Sequence, residues 1–286
     1  MNKTKLQYLA SSLKKRLYHQ GYQCPSCGEK SSHIVETKYW ITELRRCSKC
    51  FLLFRTPTTS EKENFQFYQK TYRQGFVTEC PSENQLNQLL ETKFANTVKD
   101  FSIYIQILEA LGASPGKRLL DYGCSWGYGA WQFQQAGYEV TAFEVSQPRC
   151  LYARDKLGID ATFNVSDIKG SFDIIFSNHV VEHLPSVHQY LEFAINHLRP
   201  GGFLMTITPN GSEEFRNLNP NAYSKLWGFY HPQFLDDKYY LNYFGHSNLL
   251  LTSKMSAMSL FKNWDQQSFF LGNLSSSNLL CIWKKT

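Results

Sequence analysis

Three groups of side chains in this 286-residue chain have the types and spacing to do chemistry. Cys24-x-x-Cys27 and Cys47-x-x-Cys50 stand nineteen residues apart. Two such knuckles bring four thiolates to the corners of a tetrahedron, the arrangement in which Zn²⁺ binds cysteine. With all four positions filled by protein the ion is structural, and it supplies folding energy that so small a segment cannot draw from a core. Two disulfides are the competing pairing, which a reducing compartment disfavours. The second group is an apolar run breaking into a glycine-rich loop, Leu119-Leu120-Asp121-Tyr122-Gly123-Cys124-Ser125-Trp126-Gly127-Tyr128-Gly129, with Glu144 at the end of the next apolar run. Glycines let backbone amides approach a ligand closely, and an acid one strand away can accept from two ribose hydroxyls. A nucleoside-bearing cofactor is the expected occupant. The third group is histidine: His179 and His183 flanking Glu182, and His231 and His246 within an aromatic stretch. A histidine near neutral pKa is the natural base for a hydroxyl acceptor, and His231, His183 and His179 are the candidates.

Spacing narrows the cofactor. A dinucleotide fingerprint starting at Gly127-Tyr128-Gly129 lacks its third small residue, because Trp131 and Gln132 stand there. No phosphate loop ending in Gly-Lys-Ser/Thr occurs, so there is little provision for a pyrophosphate or triphosphate.

Asp121-x-Gly123-x-Ser125-x-Gly127 resembles the first motif of class I S-adenosylmethionine-dependent methyltransferases, with Ser125 replacing the middle glycine. Gly129 just beyond is expected to supply the missing freedom. The likeness continues in order. Glu144 sits at the family's ribose-binding acid, and Ser166-Asp167-Ile168 at its adenine contact. The run from Phe172 through Asn178 to Leu184 resembles its fourth strand and following loop, and Leu198-Arg199-Pro200-Gly201-Gly202 its turn into the fifth strand. The resemblance implies an α/β fold, a doubly wound, mostly parallel seven-stranded sheet, with S-adenosyl-L-methionine held by Asp121, Gly123, Ser125, Gly127, Glu144, Asp167, Ile168 and Asn178. Asn178-His179-Val180-Val181-Glu182-His183 also resembles the E-x-x-E-H metal site of some small-molecule and RNA 2′-O-methyltransferases, with His179 in the first position. The pairing with a four-cysteine module resembles the sugar C-methyltransferases. Tyr230-His231-Pro232-Gln233 keeps the Tyr-His of their Y-H-E-H motif and loses its Glu-His, which speaks against C-methylation and leaves a sugar or glycan acceptor.

The elements that must position these groups follow from periodicity. Residues 1–20 read as an amphipathic helix carrying Leu6, Leu9, Leu13 and Leu17, and residues 21–57 as a zinc ribbon whose hairpin runs from His33 to Leu44. Residues 58–114 form a connector, with Phe65, Phe67, Tyr68 and Tyr72 packing between domains, and then a long helix or helix pair closing at Gly112. Strand and helix alternate from Arg118 to Thr208, which argues a parallel sheet covered on both faces. The last segment, Leu279–Lys284, resembles the family's antiparallel terminal strand, so the methyltransferase domain is expected over 115–286. Within it, residues 210–246 are too long and aromatic for a simple connection. They read either as the acceptor side of the site or as core packing around a helical insert.

Composition sets the remaining bounds. A net charge of +6 is too mild to imply nucleic acid by itself. No apolar run approaches a membrane span and the start lacks a signal peptide's apolar core, so no membrane partner and a cytoplasmic address are expected. Nothing in the sequence specifies an oligomeric state. The leading expectation is methyl transfer to a small polar molecule, a hydroxyl of a sugar or glycan precursor. The alternatives are an RNA or protein methyltransferase that docks its polymer on Arg45, Arg46, Lys49, Arg55, Tyr39 and Trp40 of the ribbon, and a non-catalytic cofactor-binding scaffold hinted at by Ser125.

Overall fold

A computed structural model describes residues 3–59, 63 and 79–286. The connector aromatics Phe65, Phe67, Tyr68 and Tyr72 lie outside the described residues. The chain opens with helix α1 (Lys3–Leu17) and the antiparallel strands β1 (Ser32–Lys38), β2 (Thr42–Cys47) and β3 (Leu53–Thr56). The region read as one helix or a pair is a pair, α2 (Glu83–Glu91) and α3 (Ser102–Ala110). Ser82 starts α2 with a reciprocal capping box to Gln85. The chain leaves α3 through Gly112 at φ +80°, a left-handed position that glycine occupies without a Cβ penalty.

Strand–helix alternation then builds the main sheet. It comprises β4 (Arg118–Tyr122), α4 (Tyr128–Gln135), β5 (Glu139–Phe143), α5 (Gln147–Leu157), β6 (Asp160–Thr162), β7 (Phe172–Asn178), α6 (Val187–His197) and β8 (Leu198–Pro209). Neighbouring strands among these pair in parallel, in the order β8-β7-β4-β5-β6. Leu119, Leu120, Ile174, Ile175, Leu204 and Ile207 are fully buried, as strands covered on both faces require. Strand order reverses at β4, which opens a crevice at the carboxyl ends of β4 and β7.

Past β8 come α7 (Glu213–Leu218), α8 (Pro220–Leu226), β9 (Gln233–Phe234), α9 (Asp237–Phe244), β10 (Leu249–Thr252), α10 (Met258–Asn263), β11 (Phe270–Leu271) and β12 (Asn278–Lys284). β12 runs antiparallel between β8 and β10 and completes the seven strands expected. The two-residue β11 adds an eighth at the edge, parallel to β10. The other short strand, β9, leaves the main sheet and pairs antiparallel with β3, so the N-terminal sheet reads β1-β2-β3-β9. Among the described residues no helix is long and apolar enough to cross a membrane.

Candidate functional site

The glycine loop alternates into the left-handed region, with Gly123 at φ +87°, Ser125 at +54° and Gly127 at +91°. That turns the chain from β4 into α4. The glycines serve the protein's own packing here. A Cβ on Gly123 would stand 2.3 Å from the Val180 side chain, and one on Gly127 2.7 Å from the Ala153 Cβ. Gly129 lies inside α4 and does not supply the freedom expected of it. Its missing Cβ makes room for Phe101, whose ring would stand 2.2 Å away. Ser125 takes the left-handed conformation itself.

Two buried acids fasten this loop. The Asp121 carboxylate accepts from the Ala130 N–H in the first turn of α4, while burial and the nearby Glu144 charge push its pKa up to about 7. Glu144 Oε2 accepts from the Ser125 N–H at 2.9 Å and Oε1 from the Ser146 N–H at 2.8 Å, so one carboxylate ties the loop to the start of α5. Burial raises the Glu144 pKa, against these two donors and Arg149. Each carboxylate oxygen has two lone pairs, so both keep an acceptor direction for a diol. The Ser125 hydroxyl beside them is buried without a partner. An acceptor pair and an orphaned hydroxyl at the carboxyl ends of parallel strands fit a nucleoside-bearing cofactor. Asp167 ends a 3₁₀ turn after β6, exposed, with Oδ2 accepting from the Thr162 hydroxyl at 3.4 Å. Ile168 follows it into the core, and Asn178 ends β7 with Oδ1 accepting from the Tyr104 hydroxyl at 3.5 Å.

The loop after β7 carries the second constellation. His179 sits at φ +55° with its N–H donating to the Ile207 carbonyl, and a 3₁₀ turn over Val181–His183 follows. Glu182 is fully buried, its Oε1 accepting from His179 Nδ1 at 3.2 Å and its Oε2 without a hydrogen-bond partner. Burial alone would raise its pKa, but the His179 hydrogen bond and the surrounding histidines hold it at about 2. His183 Nδ1 donates to the Tyr230 carbonyl at 2.6 Å, and burial lowers its pKa to about 4. His231 Nδ1 donates to the Leu226 carbonyl, and the rings of His183 and His231 lie 4.8 Å apart. One ligand atom each from Glu182, His183 and His231 falls within 4.8 Å of the others. The structure therefore brings His179, His183 and His231 together around Glu182, which the sequence offered within the E-x-x-E-H likeness rather than as a base. His246 lies apart, edge-on to Phe269.

The four cysteines converge as their spacing requires. Sγ of Cys24 and Cys50 are 3.5 Å apart, as are those of Cys27 and Cys47, and all four lie within 4.8 Å of one another without a disulfide. A tetrahedron of Zn–S bonds of about 2.3 Å has edges of about 3.8 Å, so the donor set fits that ion. The N–H groups of Lys49 and Cys50 point at Cys47 Sγ, at 3.4 and 3.5 Å.

This module is built into the rest of the chain. β3 pairs with β9 through Leu53↔Phe234 and Phe54↔Gln233. Arg46 of β2 forms a buried ion pair at 2.7 Å with Asp236, the N-cap of α9. Ser26 in the first knuckle meets the Tyr239 hydroxyl at 3.0 Å, and Glu36 of β1 accepts from Trp227 Nε1 at 3.0 Å. The aromatic stretch is mostly spent on this packing. Tyr223, Trp227, Phe234, Tyr239 and Tyr240 are buried, Phe244 stacks on Trp283, and Tyr230 is left exposed beside His231. The supposed basic strip is dispersed in the same way: Arg46 and Arg55 are buried and Arg45 pairs with Glu43 at 2.8 Å.

Comparison with known proteins agrees with this geometry. A family model described as a methyltransferase domain matches residues 99–254. A ubiquinone biosynthesis O-methyltransferase of Paramagnetospirillum magneticum is 32% identical over 103 residues, covering 33% of this chain and 41% of that protein. A malonyl-[acyl-carrier protein] O-methyltransferase of Pectobacterium atrosepticum is 30% identical over 108 residues, covering 36% and 43%. The chain thus spans less than half the length of the curated relatives it matches. The plantazolicin methyltransferase BpumL, solved with a monoazolic desmethylPZN analogue and SAH, superposes at a TM-score of 0.50 with 10% identity, over 78% of this chain and 93% of that one. At that identity the likeness concerns the fold.

Proposed function

Because the chain belongs to the methyltransferase-domain family, we propose that it transfers a methyl group from S-adenosyl-L-methionine to an oxygen of a small polar acceptor, a sugar or glycan hydroxyl being the sharpest form of the reading. The observation that carries it is the Glu144 carboxylate, buried at the strand ends and bonded through both oxygens to Ser125 and Ser146, with acceptor capacity left for a ribose. Asp121, Gly123 and Gly127 shape the loop around it. Asp167, Ile168 and Asn178 would line the base and the methyl-donor end. The cofactor, when bound, brings the electrophilic methyl group, and the protein has mainly to align the acceptor and receive its proton. That task falls to His179, His183 and His231 around Glu182. Val180, which packs on Gly123, sets this cluster directly against the cofactor loop.

The O-methyltransferase names of the relatives favour an oxygen acceptor, and the exposed Tyr230 ring beside His231 offers a face for a sugar or other flat substrate. Docking of a polymer on the ribbon loses its main support with Arg46 and Arg55 buried. Cys24, Cys27, Cys47 and Cys50 are assigned a structural Zn²⁺, which holds the N-terminal sheet against the acceptor side. The test is Glu144→Ala, titrated with S-adenosylhomocysteine by calorimetry. Loss of one charge-assisted hydrogen-bond partner should weaken binding by about 1–3 kcal/mol. Unchanged affinity would place the ribose elsewhere and sink this assignment.

A further inference from the structure

Arg55 of β3 is 1% exposed, yet its guanidinium is only partly engaged. Nη1 donates to the Gly228 carbonyl at 3.3 Å, and Cζ lies over the Tyr8 ring, 4.9 Å from its centroid. Nε and Nη2 are buried without a hydrogen-bond partner. Those two nitrogens share one edge of the guanidinium, the fork whose parallel N–H bonds match two oxygens of a carboxylate or phosphate. Among the described residues no carboxylate pairs with Arg55. Glu43 is held by Arg16 and Arg45, Asp236 by Arg46, and Glu36 accepts from Trp227. The helix that covers Arg55 supplies none either, since α1 carries five cations and no acid. Buried charges are normally paired, and a buried donor without a partner costs its full desolvation. The fork is therefore an uncompensated positive charge with a defined bidentate direction. Its surroundings tie it to the proposed acceptor side. The Arg55 N–H donates to the Pro232 carbonyl at 2.8 Å and the Gly228 N–H to that of His231 at 3.1 Å, so the loop carrying His231 wraps the guanidinium. Rings continue from there: Tyr8 packs on Phe229 at 4.6 Å, and Phe229 meets Tyr230 edge-on at 4.9 Å.

We propose that the Arg55 fork binds an oxyanion, a carboxylate or a phosphate, carried by the acceptor. This rests on the methyl-transfer reading above and narrows its acceptor to an anionic molecule. The anionic group anchors the molecule one loop away from His231, and Arg55 sets specificity without touching the reacting atoms. A neutral analogue leaves the buried fork unpaired and is rejected for that reason, as sites built around a buried polar group reject ligands that cannot pair it. The ligand enters when Tyr8 lifts from the guanidinium. The opposite end of α1 stays anchored through Arg16, 3.1 Å from Glu43, and Lys15, which donates to the Thr58 carbonyl at 3.0 Å.

The test titrates the full chain with inorganic phosphate and with acetate, by calorimetry and by NMR of the Arg55 Nε–H, identified by its absence in Arg55→Lys. Wild type is expected to bind at least one of the two saturably, with a shift of that resonance. Arg55→Met should weaken binding about tenfold or more, and Arg55→Lys, which keeps the charge and loses the fork, by less. Tighter phosphate makes the acceptor a phosphorylated molecule, and tighter acetate makes it a carboxylic acid. No saturable binding of either anion, an unmoved resonance, or equal affinity in Arg55→Met overturns the site. The wild-type resonance decides the matter even where Arg55→Met does not fold. S-adenosylhomocysteine binding on the same samples separates the two proposals. Absent anion binding with intact cofactor binding removes only the Arg55 site. Anion binding without cofactor binding removes the methyl-transfer reading and leaves the oxyanion site standing.

Discussion

The half of this molecule assigned above to the cofactor and the half assigned to the acceptor are assembled differently. Around Glu144 the polar contacts stay within one strand–helix–strand unit. Glu144 reaches Ser146 and Ser125, Asp121 reaches Ala130, and parallel neighbours β4 and β5 follow each other in the chain. The acceptor half joins segments far apart. β3 pairs with β9, Arg46 with Asp236, and Glu36 with Trp227, all bridging the N-terminal sheet to the insert. A cofactor site of local parts can be inherited as a cassette, whereas the acceptor side depends on every segment that closes on it. The halves should therefore fail separately.

Disrupting the proposed zinc site at the four cysteines is the strongest way to break that separation. Structural zinc contributes roughly 10 kcal/mol or more of folding free energy in small modules. Cys47→Ser is expected to loosen β1, β2 and β3, and with them β9 and the loop that carries His231. Methyl transfer should fall about 100-fold or more, since misplacing a reactant by about 1 Å already costs about that factor. S-adenosylhomocysteine affinity should stay within about threefold, the threshold of about 0.65 kcal/mol below which no contact has been lost. Equal loss of both would show the two halves to be one cooperative unit.

Arg46→Met is the next step down. It leaves Asp236 buried and uncompensated, and breaking one partner of such a pair costs about 3–5 kcal/mol. Replacing both, Arg46→Met with Asp236→Leu, should recover much of the loss in urea denaturation. The double change also removes the α9 N-cap, worth about 1 kcal/mol, so recovery stays incomplete. A double variant no better than the single would show that the interface relies on its remaining contacts.

How far each half was legible follows from the same contrast. The parallel strands and the convergence of the four cysteines are signals of local spacing, and the structure forms both; the glycine loop and Glu144 are signals of the same kind, and their cofactor role is part of the proposal. The aromatic stretch was ambiguous because burial and exposure use the same residue types. Tyr239 and Tyr240 became core while Tyr230 stayed exposed, and distant partners decide which: Ser26 meets the Tyr239 hydroxyl and Thr206 that of Tyr240. β9 is two residues long, and no periodicity can be read from two residues. Glu182 was legible only as part of the E-x-x-E-H likeness, because its meeting with His231 depends on a distant loop that local spacing does not show. The glycines were read as making room for a ligand, and the structure shows Val180 and Ala153 filling the space a Cβ would take.

A smaller effect distinguishes the two halves by pH. Asp121 in the cofactor half has its pKa pushed to about 7, against about 3.9 in an unfolded chain. Between those values the folded state holds a proton that the unfolded state has released. The contribution of Asp121 to stability is thus full below about pH 4 and is lost as pH rises through about 7. Urea denaturation at pH 5 and pH 8 should show wild type losing stability over that interval relative to Asp121→Asn, which carries no titrating group there. The opposite slope difference would mean that Asp121 is ionised in the fold by a partner.

The smallest effect lies at Ser125. Its left-handed backbone costs a non-glycine residue about 1–2 kcal/mol, and its buried hydroxyl has no partner. Ser125→Gly relieves the backbone cost against about 0.5–1 kcal/mol of added unfolded-chain entropy, a net backbone gain of about 1 kcal/mol in the free protein, to which loss of the orphaned hydroxyl adds. If the serine is retained because its hydroxyl meets the cofactor, the gain should disappear in the complex. The melting temperature would then rise without S-adenosylhomocysteine, and the ligand-induced increment would shrink. A rise that persists with ligand would mean that the hydroxyl does no binding, and that the left-handed serine is a cost the cofactor loop merely tolerates.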